Sequence, residues 1–287
     1  MKRFVAILIA VVFIASFGAG TVFAGGAAED APQQVELLYV EWAGEIAATY
    51  VAEVVLEEMG YNVTSTALSA AAMWEGIAAG EADGMLSAWL PHTHGAYRDQ
   101  TEGRVEELST VLEGARIGLM VPTYVEIDSI EELNDHADRF GGEIIGIDPG
   151  AGIMAATEEA MDVYGLDNMT LVESSDAAMQ SALASAYDAG DWVVVTGWTP
   201  HPKEGRHDLK YLEDPEVVFG EVEYVAAIVR TGLQDDMPEV YQFLDNFYWE
   251  VDEFADLMLA YDQGGDPYEI AQDWVQENRD IVENWIP

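Results

Sequence analysis

The stretch VELLYVEWAGEIAATYVAEVVLEEMGYNVTSTA, Val35 to Ala67, decides the fold class. Val35 to Val40 is an apolar run of strand length. Ile46, Tyr50, Val54 and Val55 then recur at the spacing of one helix face, until Gly60 stops the helix. Asn62 to Ala67 reads as a second strand. Strand, helix, strand within this length points to a parallel pair, because parallel strands need a crossover long enough to hold a helix.

The alternation continues downstream. A helix around Met73 to Ala79 leads to strands at Gly84 to Leu90 and Arg116 to Val121. A second set opens after Pro122, where Ser129 and Glu132 form a capping box for a helix running to Phe140. Glu143 to Ile147, Thr170 to Glu173 and Trp192 to Thr196 read as strands, with helices at Gly152 to Tyr164 and Ala177 to Ala189. Val222 to Arg230 is a returning apolar run, and Met237 to Trp285 is helical and amphipathic, broken at Gly264-Gly265. The expected class is α/β in two lobes: residues 35–120 with 226–287, and residues 121–225. Crossings near Gly118 to Pro122 and Val222 to Arg230 would leave a cleft between them, a preferred place for a ligand.

Upstream, Lys2 and Arg3, the apolar run Phe4 to Phe17 and the small-residue site Val22-Phe23-Ala24 have the layout of a signal peptide over residues 1–24, with a polar leader over 25–34. A soluble protein outside the cytoplasm is expected. The chain has no cysteine, so neither a lipid-modified cysteine nor a disulfide framework is available.

The 287 residues carry 54 acidic against 11 basic side chains, a net charge of -43. Nucleic acid and anionic membranes are poor partners for such a surface, since phosphate binding needs clustered Lys and Arg. Self-repulsion on this scale is relieved by salt, which points to a saline medium.

Trp42, Trp89 and Trp198 are expected where strands give way to loops. A quaternary ammonium group cannot donate a hydrogen bond, so a protein holds it against electron-rich rings, of which indole is the best. Gly146 to Met161, GIDPGAGIMAATEEAM, sets a glycine-rich turn before a helix, so the amides of Gly152 and Ile153 could hold a carboxylate, and the ring NH of His94 could join them. Each residue also has a plainer reading, as core filling, a βα turn or a structural histidine. His92 and His94, with His201 or His207, leave open a different class: a secreted metal-dependent hydrolase. No HExxH helix, nucleophile elbow or phosphate loop supports catalysis.

YVEWAGEIAATYVAEVVLEEMGY, MWEGIAAGEADGMLSAWLPHTH, IGIDPGAGIM and VVVTGWTPHPKEGRHDLKYLEDP resemble the glycine betaine-binding proteins of osmoprotectant ABC importers, over about Val35 to Trp285. The resemblance implies the type II periplasmic-binding-protein fold with its ligand in the interlobe cleft, and no enzyme activity or cofactor. It implies a trimethylammonium box of Trp42, Trp89 and Trp198, and a carboxylate site of Gly152, Ile153 and His94. Expected partners are a zwitterionic ligand and the membrane permease and ATPase subunits of an importer, the binding protein itself being a monomer. Choline, proline betaine, dimethylsulfoniopropionate and ectoine stay open as ligands. One departure stands out: relatives often continue Trp198-Thr199-Pro200-His201 with large apolar residues, whereas this chain has Pro202-Lys203-Glu204, which bears on the pocket rim.

Overall fold

The computed structural model describes residues 33–287; the expected signal peptide, and the leader up to residue 32, lie outside the described residues. β1 (Gln34–Tyr39), α1 (Ala43–Glu58) and β2 (Asn62–Ala67) form the expected unit, with β1 and β2 parallel from Gln34 opposite Asn62 to Tyr39 opposite Ala67. α1 buries Ala47, Ala48, Val51, Ala52, Val54 and Val55 on one side, and the chain leaves it through Gly60, whose φ of 97° is the left-handed backbone that glycine adopts most cheaply.

α2 (Ala70–Ala78), β3 (Gly84–Leu90), α3 (Gly95–Gln100) and β4 (Val105–Pro122) follow. Then come β5 (Glu143–Ile145), α4 (Gly152–Tyr164), β6 (Thr170–Val172), α5 (Asp176–Ala189), β7 (Val195–Thr199), α6 (Pro202–Arg206) and β8 (Leu209–Tyr211). β9 (Glu223–Arg230), α7 (Leu233–Asp236), α8 (Pro238–Asn246), α9 (Val251–Asp262), α10 (Pro267–Glu277) and α11 (Arg279–Val282) complete the chain. Among the described residues the strands run in the order β2-β1-β3-β9-β4-β7-β5-β6, with β8 beside β4.

β4 joins the two halves of this sheet. Its first part pairs antiparallel with β9, from Val105 opposite Arg230 to Ala115 opposite Glu223. From Arg116 onward it pairs with β7, and at its end with β8. Only Arg116 to Val121 was expected to be strand. The preceding part is interrupted by three register shifts against β9 and by Gly114 at φ 80°, so its apolar positions fall out of strict alternation. β7 also differs, spanning Val195–Thr199 rather than Trp192 to Thr196. Trp192 instead packs on Phe140 under the Arg139 guanidinium, which lies 3.4 Å above its ring. The Ser129 and Glu132 capping box forms, but it opens 3-10 turns at Ile130–Glu132 and Asn134–Phe140 rather than an α-helix. Asn, Asp and His in that segment compete for backbone hydrogen bonds and are weak helix formers.

Two apolar clusters hold the fold. One lies under α1 and the C-terminal helices and is rich in Phe and Trp; the other runs from Leu38 and Trp74 through Ile117 to the strands and helices of the second half. Trp89 packs against both.

Candidate ligand-binding cavity

β3 and β7 each end in Trp-X-Pro-His, Trp89-Leu90-Pro91-His92 and Trp198-Thr199-Pro200-His201, with the tryptophan as the penultimate strand residue. Trp42 lies one residue before α1, as its N-cap. Although far apart in sequence, the three indoles line one cavity, with about 680 Å³ of empty space when the part open to solvent is counted. Gly152, Ile153 and His94 line the same cavity, so all six candidate residues converge. Among the described residues, no two of the three indoles pack ring against ring; Trp42 stacks on His94 and Trp198 meets His201 edge-on. The Trp42 ring is fixed by its Nε1–H, which donates to Asp148 Oδ2 at 2.9 Å.

The polar end is built around the N-terminus of α4. Its N-cap is Ala151, and no side chain caps it, so the first amides are left for another acceptor. A Cβ at Gly152 would come within 2.0 Å of the Thr93 carbonyl oxygen, so the close approach of the His92–His94 loop requires glycine there. Tyr97 Oη donates to the Gly150 carbonyl at 2.7 Å on the same seam. Glu223 of β9 holds the loop from behind, accepting from the amides of His92 and Thr93 at 2.7 and 2.8 Å and from the Thr93 hydroxyl.

His94 is buried, and its Nδ1 accepts the Trp89 amide proton at 3.1 Å. Burial holds its pKa down to about 4, so the ring is neutral at ordinary pH. A neutral ring whose Nδ1 accepts must carry its proton on Nε2. That donor makes no hydrogen bond of ordinary geometry among the described residues, and the Ser87 backbone close to the ring only partly offsets the effect of burial. The cavity is therefore lined by a neutral His94 and the uncapped start of α4 as well as by the three indoles.

Several groups around the cavity were not expected from the sequence. Glu45, on the first turn of α1, accepts the Val40 amide through Oε2 at 2.7 Å, and the Ser87 hydroxyl lies close to the same buried carboxyl. Burial raises its pKa to about 8, so a neutral carboxyl lines the wall at pH 7. Asp176 accepts from His201 Nε2 at 3.1 Å and from the Ala43 amide at 3.2 Å. Burial works to raise the Asp176 pKa, but His201, Lys203 and the Ala43 amide together bring it below the ordinary value. Asp148 sits in the quoted GIDPG stretch, where an acid beside a glycine turn was the only available signal. Glu223 gave none.

The histidines do not assemble as a metal centre. His94 is turned inward, His92 lies against Gly220, and His201 pairs with Asp176. Among the described residues no group of three or more potential ligands is placed to hold a metal ion.

Residues 33–277 match the family described as the substrate-binding domain of ABC-type glycine betaine transport systems. The chain belongs to that family. Its members bind substrates for transport and are not enzymes, which removes the metal-dependent hydrolase reading of His92 and His94. The glycine betaine/carnitine transport binding protein GbuC of Listeria monocytogenes serotype 1/2a is 45% identical over 153 residues, 53% of this chain and 51% of that protein. The chain thus covers about half the length of that curated relative. A glycine betaine, L-proline-binding protein (ProX) from Borrelia burgdorferi is 38% identical with a TM-score of 0.87, covering 89% of this chain and 97% of that one. Lactococcal OpuAC, in a closed conformation complexed with glycine betaine, is 39% identical with a TM-score of 0.85, over 89% and 100%. A choline-binding protein in complex with choline is 27% identical with a TM-score of 0.83, over 88% and 91%. The fold is the type II periplasmic-binding-protein fold, whose ligand cleft lies between two lobes. Among the described residues no helix is long and apolar enough to cross a membrane.

Proposed function

We propose that the chain is an extracytoplasmic binding protein that captures glycine betaine, or a close betaine, and hands it to the permease and ATPase subunits of an ABC importer. The observation that carries this reading is the convergence, on one cavity, of three indoles, a neutral His94 and the uncapped start of α4. Trp42, Trp89 and Trp198 would face the trimethylammonium group, while Gly152, Ile153 and His94 would receive the carboxylate. Each desolvated ring contributes up to about 2 kcal/mol, against about -8 kcal/mol for micromolar affinity. Choline, a cation without a carboxylate, would leave the donors at that end unpaired, which favours the zwitterion.

On the division into residues 35–120 with 226–287 and residues 121–225, Trp42, Trp89 and His94 come from one lobe and Gly152, Ile153 and Trp198 from the other. The full set of contacts then exists only in the closed form, so ligand shifts the population toward the shape an importer recognises. Export by cleavage near Ala24 and action as a monomer belong to the same proposal. The acidic excess supports a saline setting, and the unfolding midpoint should rise from low to molar salt.

Titration calorimetry with glycine betaine, choline, proline betaine, dimethylsulfoniopropionate and ectoine, run in high salt, tests the ligand. Glycine betaine should bind most tightly. Equal or tighter binding of choline or ectoine would overturn the assignment.

A further inference from the structure

Lys203 is the residue of the unexpected Pro202-Lys203-Glu204 segment that matters most to the cavity, although it does not line it. It stands in the short helix α6, 1% exposed, with its amide donating to His201 Nδ1 at 3.1 Å. Its Nζ lies 3.8 Å from the centre of the Trp198 ring and has no hydrogen-bond acceptor among the described residues. The ammonium is therefore held by the indole quadrupole and by the negative charges of Asp176 and Glu204 nearby. Trp198 does line the cavity. Its indole thus touches both a buried protein cation and the cavity.

We propose that Lys203 is a specificity-determining residue, its ammonium behind Trp198 selecting zwitterionic quaternary amines over singly charged cations such as choline. The inference rests on the tryptophan-box reading above. With 3.8 Å on one side of the ring and a similar distance on the other, the two cations would be on the order of 8 Å apart. At an effective dielectric constant of about 20, repulsion at that range weakens binding of a bare cation by about thirtyfold. A zwitterion feels less of it, because its carboxylate, a few ångströms farther away, is attracted by the same ammonium. The charges of Asp176 and Glu204 reduce both effects and leave their order unchanged.

The test compares choline and glycine betaine affinities of the wild-type protein and Lys203→Met by titration calorimetry at pH 6. Burial lowers the lysine pKa to about 7, so this pH keeps the wild-type amine charged. Methionine keeps the length and the packing on the ring but removes the charge. Choline affinity should rise by at least about tenfold and betaine affinity change by less than about threefold. An unchanged ratio, or an equal gain for both ligands, would overturn the inference. Lys203→Arg retains the positive charge and should keep the wild-type ratio; a shift as large as that of the methionine variant would show that packing, not charge, is responsible and would also overturn it. Should Lys203→Met lack a cooperative unfolding transition, Lys203→Gln carries the same expectation. Failure of the wild-type protein to bind either ligand would defeat the reading of the cavity itself, and this inference with it.

Discussion

Two groups of tryptophans in this molecule use the same side chain in opposite ways. Trp249, Trp274 and Trp285 pack against one another at centroid distances of 4.9, 5.2 and 6.0 Å, and Phe247 and Phe254 press on Trp249 at 5.4 and 5.1 Å. Trp42, Trp89 and Trp198 are brought to one cavity without packing on each other. In the first group aromatic faces are covered by protein rings, which stabilises the fold; in the second the indoles border the empty space of a cavity, with His94 stacked on Trp42 and Lys203 over Trp198. The two groups meet at Phe254, which stacks on Trp249 and also lines the cavity.

The sharpest way to break the comparison is Trp249→Ala. The residue is fully buried, so its loss should cost about 4 kcal/mol of unfolding free energy, measured by denaturant titration. Betaine affinity of the folded protein should change little. A loss below about 1 kcal/mol would mean that this cluster is not a saturated core.

The cavity wall also differs in carrying a buried carboxyl, which Glu45→Gln would probe. Glu45 has a folded-state pKa raised by burial to about 8 from an ordinary 4.5. A raised pKa means a contribution that is complete below pH 4.5 and lost as pH rises through 8. Gln keeps the acceptor for the Val40 amide and cannot ionise. Between pH 5 and pH 9 the stability of the variant should therefore gain on the wild type, by roughly 4 kcal/mol. Parallel pH profiles for the two proteins would refute this. His201 works in the opposite direction: burial lowers its pKa to about 4, so its contribution is present above pH 6.5 and lost as pH falls through 4.

A smaller effect separates the groups most directly. Trp89→Ala should weaken glycine betaine binding by at least about tenfold, or 1.4 kcal/mol, in titration calorimetry. Trp89 is only partly buried, so the ligand-free unfolding midpoint should move much less than for Trp249→Ala. Unchanged affinity would leave Trp89 as a core residue like its C-terminal counterparts.

These contrasts were unevenly legible in the sequence. The β1-α1-β2 unit was plain because strand length, helix period and the Gly60 stop are local properties. The first part of β4 was hidden because bulges, whose cause lies in the partner strand, break its alternation. The six candidate residues stood out by type and position, and the resemblance sorted Trp42, Trp89 and Trp198 from the other five tryptophans. What fixes them was not readable: the Trp42 bond to Asp148 spans 106 positions, and the Glu223 contacts to the His92–His94 loop span about 130. Such pairings are created by the closed fold and leave no periodic trace. The Lys203 position was visible as a departure from relatives, but its place over the Trp198 ring was not.

The finest distinction concerns the polar end of the cavity. His94→Ala removes the Nε2 donor and, with it, the acceptor that holds the Trp89 amide at 3.1 Å. The second loss disturbs the aromatic wall and weakens any quaternary ammonium ligand; the first matters only to a ligand with a carboxylate. Betaine affinity should therefore fall more than choline affinity, with the difference on the order of fivefold, about 1 kcal/mol for one hydrogen bond. Because His94 stays neutral down to about pH 4, its titration should leave betaine affinity unchanged between pH 5 and pH 8. Calorimetry with both ligands on both proteins measures the two losses separately. An equal fall for betaine and choline would reduce His94 to a support for Trp89, and the cavity would then be an aromatic box with no preference for a zwitterion at this position.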